Sequence, residues 1–475
     1  MTTRADKRRA FFDFGDRIRV LPVVHGSADF ALAVREELLA NHYDCLAVPL
    51  PASFEPAVMD AVALLPQVSM VVQTMDDEGQ TASHVPIDPC QPVIRGLRMA
   101  QAERKAIAFI DLEHREVEGA EGYYPDAFAL KGLAPDKFAA AVLSVSEPPA
   151  AESLRDRRCR HMAFQLGKLS LDFERILFLP SIADWPFIRD AFVRRLPYPE
   201  EVPYFAPIHC WPVAKEGLFF YLAELPFITA LYEKVRFGIE DERSMSVDGV
   251  KELVLESRDR LVRRKASARR RISIKTMGIY LQYVRNLTLL SRRLRPELVT
   301  LLEAAKQVCG DDFAITMLEV AREYPFGTDD PDTPRARASI DSAELPELGT
   351  VEITSRLPGA ELEWRSIDLR REPDEPERKR WKQVWNPHEQ CSYPPEDRRI
   401  ESFNLHVREQ AKSLISNDLA RSEKFTSSLK DGLDIRETLR NWHTKDLYVR
   451  EVPPARGSLE IVVFLFDVPA EANMY

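Results

Sequence analysis

The sequence predicts an α/β protein: a mainly parallel sheet with flanking helices, a helical extension, and a smaller C-terminal α+β region. Three observations predict it. Short apolar runs alternate with segments of helical spacing through residues 1–215, the pattern of strand–helix–strand units. Residues 216–326 carry helical periodicity alone. After the polar stretch 327–345, strand-like patterns return in residues 346–475.

The elements follow in order. RIRVLPVV (17–24) is a buried strand, and Ser27 caps a helix over 28–41. DCLAV (44–48) is a second strand, closed by Pro49 and Pro51. A helix over 55–65 leads to a third strand, QVSMVVQT (67–74). A helix over 92–104 leads to AIAFIDL (106–112), and a helix over 155–172 leads to RILFLP (175–180). Helices are expected over 216–238, interrupted at Glu224-Leu225-Pro226, and over 247–265, 273–291, 296–309 and 312–323. GTDDPDTPRARASIDSAEL (327–345) lacks periodicity and reads as an interdomain linker. GTVEITSR (349–356) and AELEWRSIDL (360–369) read as a hairpin turning at Pro358-Gly359. Helices are expected over 397–417 and 433–442, the second capped by Asp434, and SLEIVVFLFD (458–467) is an apolar strand that needs a cover.

Composition narrows the function classes. A net charge of −10 argues against a general nucleic-acid binder. No apolar run reaches the length that spans a bilayer, and no apolar signal core follows the charged N-terminus, so a soluble cytoplasmic protein is expected. Six cysteines without a CxxC pair read as reduced thiols. There is no GxGxxG, P-loop or Gly-x-Ser-x-Gly motif.

In a parallel α/β sheet, ligands gather beyond the C-terminal strand ends. With the strands as read, those ends carry His25, Pro49, Asp111 and Asp184 along one edge. Each also has a structural reading. His25 fits a turn that closes a strand, Asp111 fits a cap, and Arg158 fits a solvated face beside Arg155, Arg157 and Arg160.

Four stretches carry a resemblance: PVVHGSADFALAVREELLANHYDCLAVPLP (22–51), IDPCQPVIRGLRMAQAERKAIAFIDL (87–112), RDRRCRHMAFQLGKLSLDFERILFLPSIADW (155–185) and ISIKTMGIYLQYVRNLTLLSRRLRPELVTLLEAAKQVCGDD (272–312). In their order and spacing they resemble an uncharacterised bacterial family encoded beside MoxR-type AAA+ ATPases and von Willebrand A proteins. That family is related to the erythromycin esterase, ChaN, TraB and TIKI superfamily. The resemblance implies two Gly-x-x-His motifs and a Glu that gather a metal or activate water. Here the first motif is Pro22-Val23-Val24-His25, the Glu position is Pro49, and the second motif is Ser181-Ile182-Ala183-Asp184. Asp111 and Arg158 match residues common in the relatives.

Proline can neither ligate a metal nor take a proton. Carboxylate and imidazole together suit a hard divalent cation. Two readings therefore stand. In one the chain is a degenerate, non-catalytic or weakly catalytic scaffold in a multi-protein bacterial system. The resemblance then implies the MoxR-type ATPase and the von Willebrand A protein as partners, docked by residues 346–475. In the other it is a metal-dependent hydrolase whose His25, Asp111 and Asp184 hold Mn, Zn or Co and activate water, with Arg158 on an anionic substrate. Two lesser constellations remain. His388, Cys391, His406 and His443 match no standard zinc spacing, and RLVRRKASARRR (260–271) reads as a solvated helix face or a phosphate contact.

Overall fold

The structure is a computed structural model that describes residues 12–76, 79–115, 126–143, 145–198, 206–237, 248–265, 268, 272–327, 333–359, 365–369, 421–424, 426 and 433–451. The chain divides into two compact units, Met1–Glu372 and Pro373–Tyr475. The fold is α/β, with two large sheets in the first unit.

The first unit opens with β1 (Asp13–Phe14), β2 (Ile18–Val20), α1 (Ala28–Ala40), β3 (Cys45–Pro51), α2 (Glu55–Ala63), β4 (Ser69–Thr74) and β5 (Thr81–Ile87). It continues with α3 (Pro92–Ala102), β6 (Ala106–Asp111), α4 (Pro135–Leu143), α5 (Leu154–Asp172), β7 (Ile176–Phe178), α6 (Trp185–Arg194) and β8 (Ile208–Pro212). Helices α7 (Leu218–Tyr221), α8 (Pro226–Phe237), α9 (Gly249–Arg264), α10 (Ile274–Leu290), α11 (Leu298–Val308) and α12 (Asp311–Ala321) follow. Three strands close the unit: β9 (Arg337–Ala338), β10 (Ser342–Leu345) and β11 (Gly349–Ser355).

The first sheet runs β1-β2-β7-β3-β6. The β2–β7, β7–β3 and β3–β6 pairings are parallel, and only β1–β2 is antiparallel. Every residue of β3 is buried, as a central parallel strand covered on both faces requires. Its Pro49 and Pro51 have no N–H to give, and the β3–β6 register shifts between Val48 and Pro51. The Ser27 hydroxyl accepts from the Phe30 amide at 3.4 Å and starts α1, which buries Phe30, Val34 and Leu38 on the sheet. Trp185, Ile188 and Leu166 close the other side of the same core. Each such fully buried side chain contributes about 1.5–3 kcal/mol.

The second sheet runs β8-β4-β5-β11-β10-β9 and is antiparallel except at β5–β11. It closes on itself. Val213 bridges Ala336, with the Ala336 amide on the Pro212 carbonyl at 2.9 Å and the Ala214 amide on the Ala336 carbonyl at 2.8 Å. Closure removes the open edges that invite aggregation. Strand alternation splits its side chains between two cores. Val71, Val85 and Ile87 join the first sheet's core, while Met70, Val72, Ala82, Trp211 and Val351 form a separate one.

Several expectations are corrected here. QVSMVVQT is not a third strand of the parallel sheet. Its continuous apolar run reflects burial on both faces of an antiparallel strand. TASHVPI (81–87) mixes polar residues and a proline, so no strand was expected there, yet it pairs with both β4 and β11. The stretch read as a linker, 327–345, holds β9 and β10. β11 pairs with β5 and β10; of the expected hairpin partner 360–369, residues 360–364 lie outside the described residues and 365–369 carry no strand. The first unit reaches Glu372, so residues 346–372 belong to it rather than to a separate C-terminal region. The helical extension appears as read, with Pro226 opening α8. The cores of α9–α12 pack Leu253, Leu261, Tyr280, Leu301, Phe313 and Met317 together.

In the second unit, β12 (Arg421–Lys424) pairs antiparallel with β13 (Tyr448–Glu451). Between them lies α13 (Ile435–Arg440), capped by Asp434, which accepts from the Glu437 amide at 3.0 Å. Residues 397–417 and 458–467 lie outside the described residues. No helix among the described residues is long and apolar enough to cross a membrane.

Candidate functional site at the strand ends

The parallel sheet determines where the four singled-out positions fall. Beyond β2 and β7 the chain stays paired: the Val23 amide donates to the Pro180 carbonyl at 2.9 Å, and the Ile182 amide to the Val23 carbonyl at 2.8 Å. The His25 and Asp184 stretches therefore run side by side. Pro49 lies within β3, and Asp111 ends β6 next door, with Pro51 opposite it. All four occupy the C-terminal ends of one set of parallel strands.

Each side chain is already engaged. Arg158, on α5, donates from Nε to both Asp111 oxygens at 3.1 and 3.0 Å and from Nη2 to Oδ2 at 2.6 Å. The Leu112 amide adds a fourth bond, at 2.8 Å. Burial alone would raise the Asp111 pKa, but the Arg158 charge and hydrogen bonds outweigh it and hold the carboxyl below its usual range. Burial opposes the charge on Arg158, and the Asp111 carboxylate overcomes it and raises that pKa. Arg155, one α5 residue-triplet earlier, donates from Nε to Asp184 Oδ1 at 2.7 Å and from Nη2 to the Ala183 carbonyl at 2.9 Å.

His25 is buried, and its Nδ1 has no hydrogen-bond partner. Burial first, and then the Arg158 charge, lower its pKa to about 3 against an opposing hydrogen bond to the Gln91 side chain. The imidazole is neutral at physiological pH. The turn that carries it needs Gly26, whose φ is +73° and whose added Cβ would lie 2.8 Å from the Ala223 Cβ.

Sequence reasoning missed the strap over this edge. Gly359 bridges His25, and a Cβ on Gly359 would lie 2.5 Å from the His25 carbonyl oxygen. Three residues earlier, Arg356 is buried. Its Nε donates to Ser83 Oγ at 2.9 Å and its Nη2 to Gln73 Oε1 at 3.0 Å and the His114 carbonyl at 3.2 Å. Its guanidinium stands 4.7 Å from the Phe54 ring centroid. Burial lowers its pKa to about 10. Glu113 was missed too. It is the acid two residues beyond Asp111, and it spends both oxygens on Ser53, at 2.7 Å to the amide and 2.8 Å to the hydroxyl. No local pattern marks Arg356 or Glu113, because their partners come from distant segments.

As arranged, this set does not fit a divalent ion. A guanidinium saturates Asp111, another holds Asp184, and Pro49 offers no donor. No three His, Cys, Asp or Glu side chains among the described residues stand together as ligands. His388, Cys391 and His406 lie outside those residues, and His443 is exposed. The described basic residues of 260–271 are paired: Arg260 and Arg263 with Glu256, Arg264 with Glu319, Lys265 with Asp312. Arg269, Arg270 and Arg271 are outside the described residues. A cleft of about 530 Å³ opens at the rim of the closed sheet, lined by Lys215, Arg335, Arg337, Glu344 and Glu347, and none of the four strand-end residues reaches it.

Beside His25, Asp88 accepts from the Cys90 amide at 2.8 Å and the Ala223 amide at 3.2 Å. Burial raises its pKa to about 6. His84, on β5, is lowered to about 4, also by burial. These shifts set an acid response. His25 and His84 bind protons more weakly folded than unfolded, so their contribution is complete above about pH 6.5 and drains away toward pH 3–4. Asp88 acts in the opposite direction, holding its proton up to about pH 6 when folded. Two groups against one leave a net loss of stability as the pH falls from about 6 to about 4. His25→Gln should flatten this dependence in denaturant titrations across that range. An unchanged slope would refute the assignment.

The chain matches no family model, no curated protein and no solved structure.

Proposed function

We propose that this chain is a cytoplasmic, hydrolase-like scaffold whose strand-end site has been converted from chemistry to structure. One observation carries the reading: the two acids on the parallel strand ends are each held by an arginine, under a strap that buries His25. Pro49, where the resemblance implies a glutamate, supports it from the sequence side. The Asp111–Arg158 pair then ties α5 to β6, and His25 serves as a neutral, packed side chain. The resemblance puts forward a MoxR-type AAA+ ATPase and a von Willebrand A protein as the partners.

Metal content after purification without chelators tests the reading, together with a pull-down from the native host. The expected result is far less than one equivalent of metal, unchanged in His25→Ala, and a partner complex that survives that substitution. A stoichiometric ion that His25→Ala removes would overturn the proposal and restore the metal-dependent hydrolase.

A further inference from the structure

Helix α10 uses only one stripe to hold itself in the fold. Tyr280, Val284 and Thr288 are buried, and the Tyr280 hydroxyl donates to the Leu301 carbonyl at 3.3 Å. A second stripe, Ile274, Gly278, Leu281, Arg285 and Leu289, repeats at the three- and four-residue spacing of a helix-pairing seam, and Arg292 follows in the turn just past the helix end, at φ +55°. All of it is exposed, with Ile274 at 87%, Leu281 at 50% and Leu289 at 56%. Three exposed apolar side chains share this stripe, and Ile279, Tyr283 and Leu290 are exposed on another flank of the helix; an exposed apolar surface of this extent marks an interaction site.

Charge says what the surface fits. From Arg260 through Pro296 the sequence contains no Asp or Glu. The neighbouring cations Arg260, Arg264, Lys265, Arg293 and Arg295 all have carboxylate partners. Arg285, on the seam, and Arg292, in the turn just past its end, have none among the described residues. We infer that this stripe of α10 docks an amphipathic helix of a partner protein, whose leucines cover Ile274, Leu281 and Leu289 while its flanking carboxylates pair with Arg285 and Arg292. A second copy of this chain would set like charges against one another. A lipid surface would draw Arg285, in mid-stripe, toward the acyl layer. The middle of the outward face is polar as well, at Lys275, Gln282 and Asn286. The inference rests on the scaffold reading only in giving the chain a protein partner.

The probe is a fluorescent designed peptide of four heptads, with leucine at the a and d positions and glutamate at e and g. A second peptide has lysine in place of every glutamate. The full-length chain should bind the glutamate peptide, more weakly as salt rises, and leave the lysine peptide alone. The R285E/R292E double variant should lose roughly tenfold or more in affinity for the first peptide and gain the second. L281D should lose the glutamate peptide and gain nothing. Circular dichroism melts matching the parent establish that each variant is folded, and R285E/R292E carries the test by itself if L281D unfolds. Failure to bind the glutamate peptide, equal binding of both peptides, sedimentation with phosphatidylserine-rich vesicles, or a dimer dissolved by R285E/R292E would each overturn the inference. Any of these with the metal and pull-down results intact would leave the scaffold reading standing.

Discussion

Replacing Asp111 with Ala should destabilise the first unit by about 3–5 kcal/mol, because it strands a buried arginine charge without its counter-ion. Arg158 gives Asp111 three hydrogen-bond contacts, and the pair lies between β6 and α5. The penalty comes from the partner left behind. An Asp111→Ala, Arg158→Met double variant should therefore recover much of the loss, with a coupling on the order of 2 kcal/mol or more. Chemical denaturation of the four proteins reads this directly. A ligand carboxylate predicts the reverse pattern: Asp111→Ala would release an ion, leave the metal-free protein about as stable as before, and show no coupling to Arg158. Such a result would sink the structural reading of the strand ends.

Gly359→Ala should open the strap. The added carbon would sit 2.5 Å from the backbone oxygen of His25, so one of the two backbones must shift. Overpacking of this kind costs about 1–3 kcal/mol. The more telling readout is His25 itself. Its pKa stands near 3 mainly because it is buried, so lifting residues 356–359 should let it climb toward 6.5. Imidazole resonances followed through a pH titration would show the change, and the Arg356 amide, bonded to the His84 carbonyl at 2.8 Å, should exchange faster. An Ala variant with unaltered stability and an unaltered His25 titration would mean that the strap does not hold the site shut.

How much of this was legible beforehand varies by element. The all-apolar run of β3, the helical spacing of α9 to α12 and the break at Pro226 express short-range rules, and they appear where the sequence places them. The caps at Ser27 and Asp434 follow from the same local chemistry. β4 and β5 illustrate the limit. β4 looks like a parallel core strand because both its faces are buried, and β5 hides its pairing behind Ser83, His84 and Pro86. Periodicity reports burial; it does not report which neighbour does the burying.

The candidate site divides along the same line. Alternating strands and helices were enough to bring His25, Pro49, Asp111 and Asp184 to one edge, since a parallel sheet aligns its C-terminal ends whatever lies between. The loss of a carboxylate at Pro49 was equally visible, because a side chain's chemistry is written in its residue type. The state of the survivors was not. Whether Asp111 faces an ion or a guanidinium, and whether His25 meets solvent or Gly359, depends on α5 and on a strand from residues 349–355 that pairs with β5 across most of the unit. Ionisation and accessibility belong to the packed environment, and residues far apart in the chain build that environment.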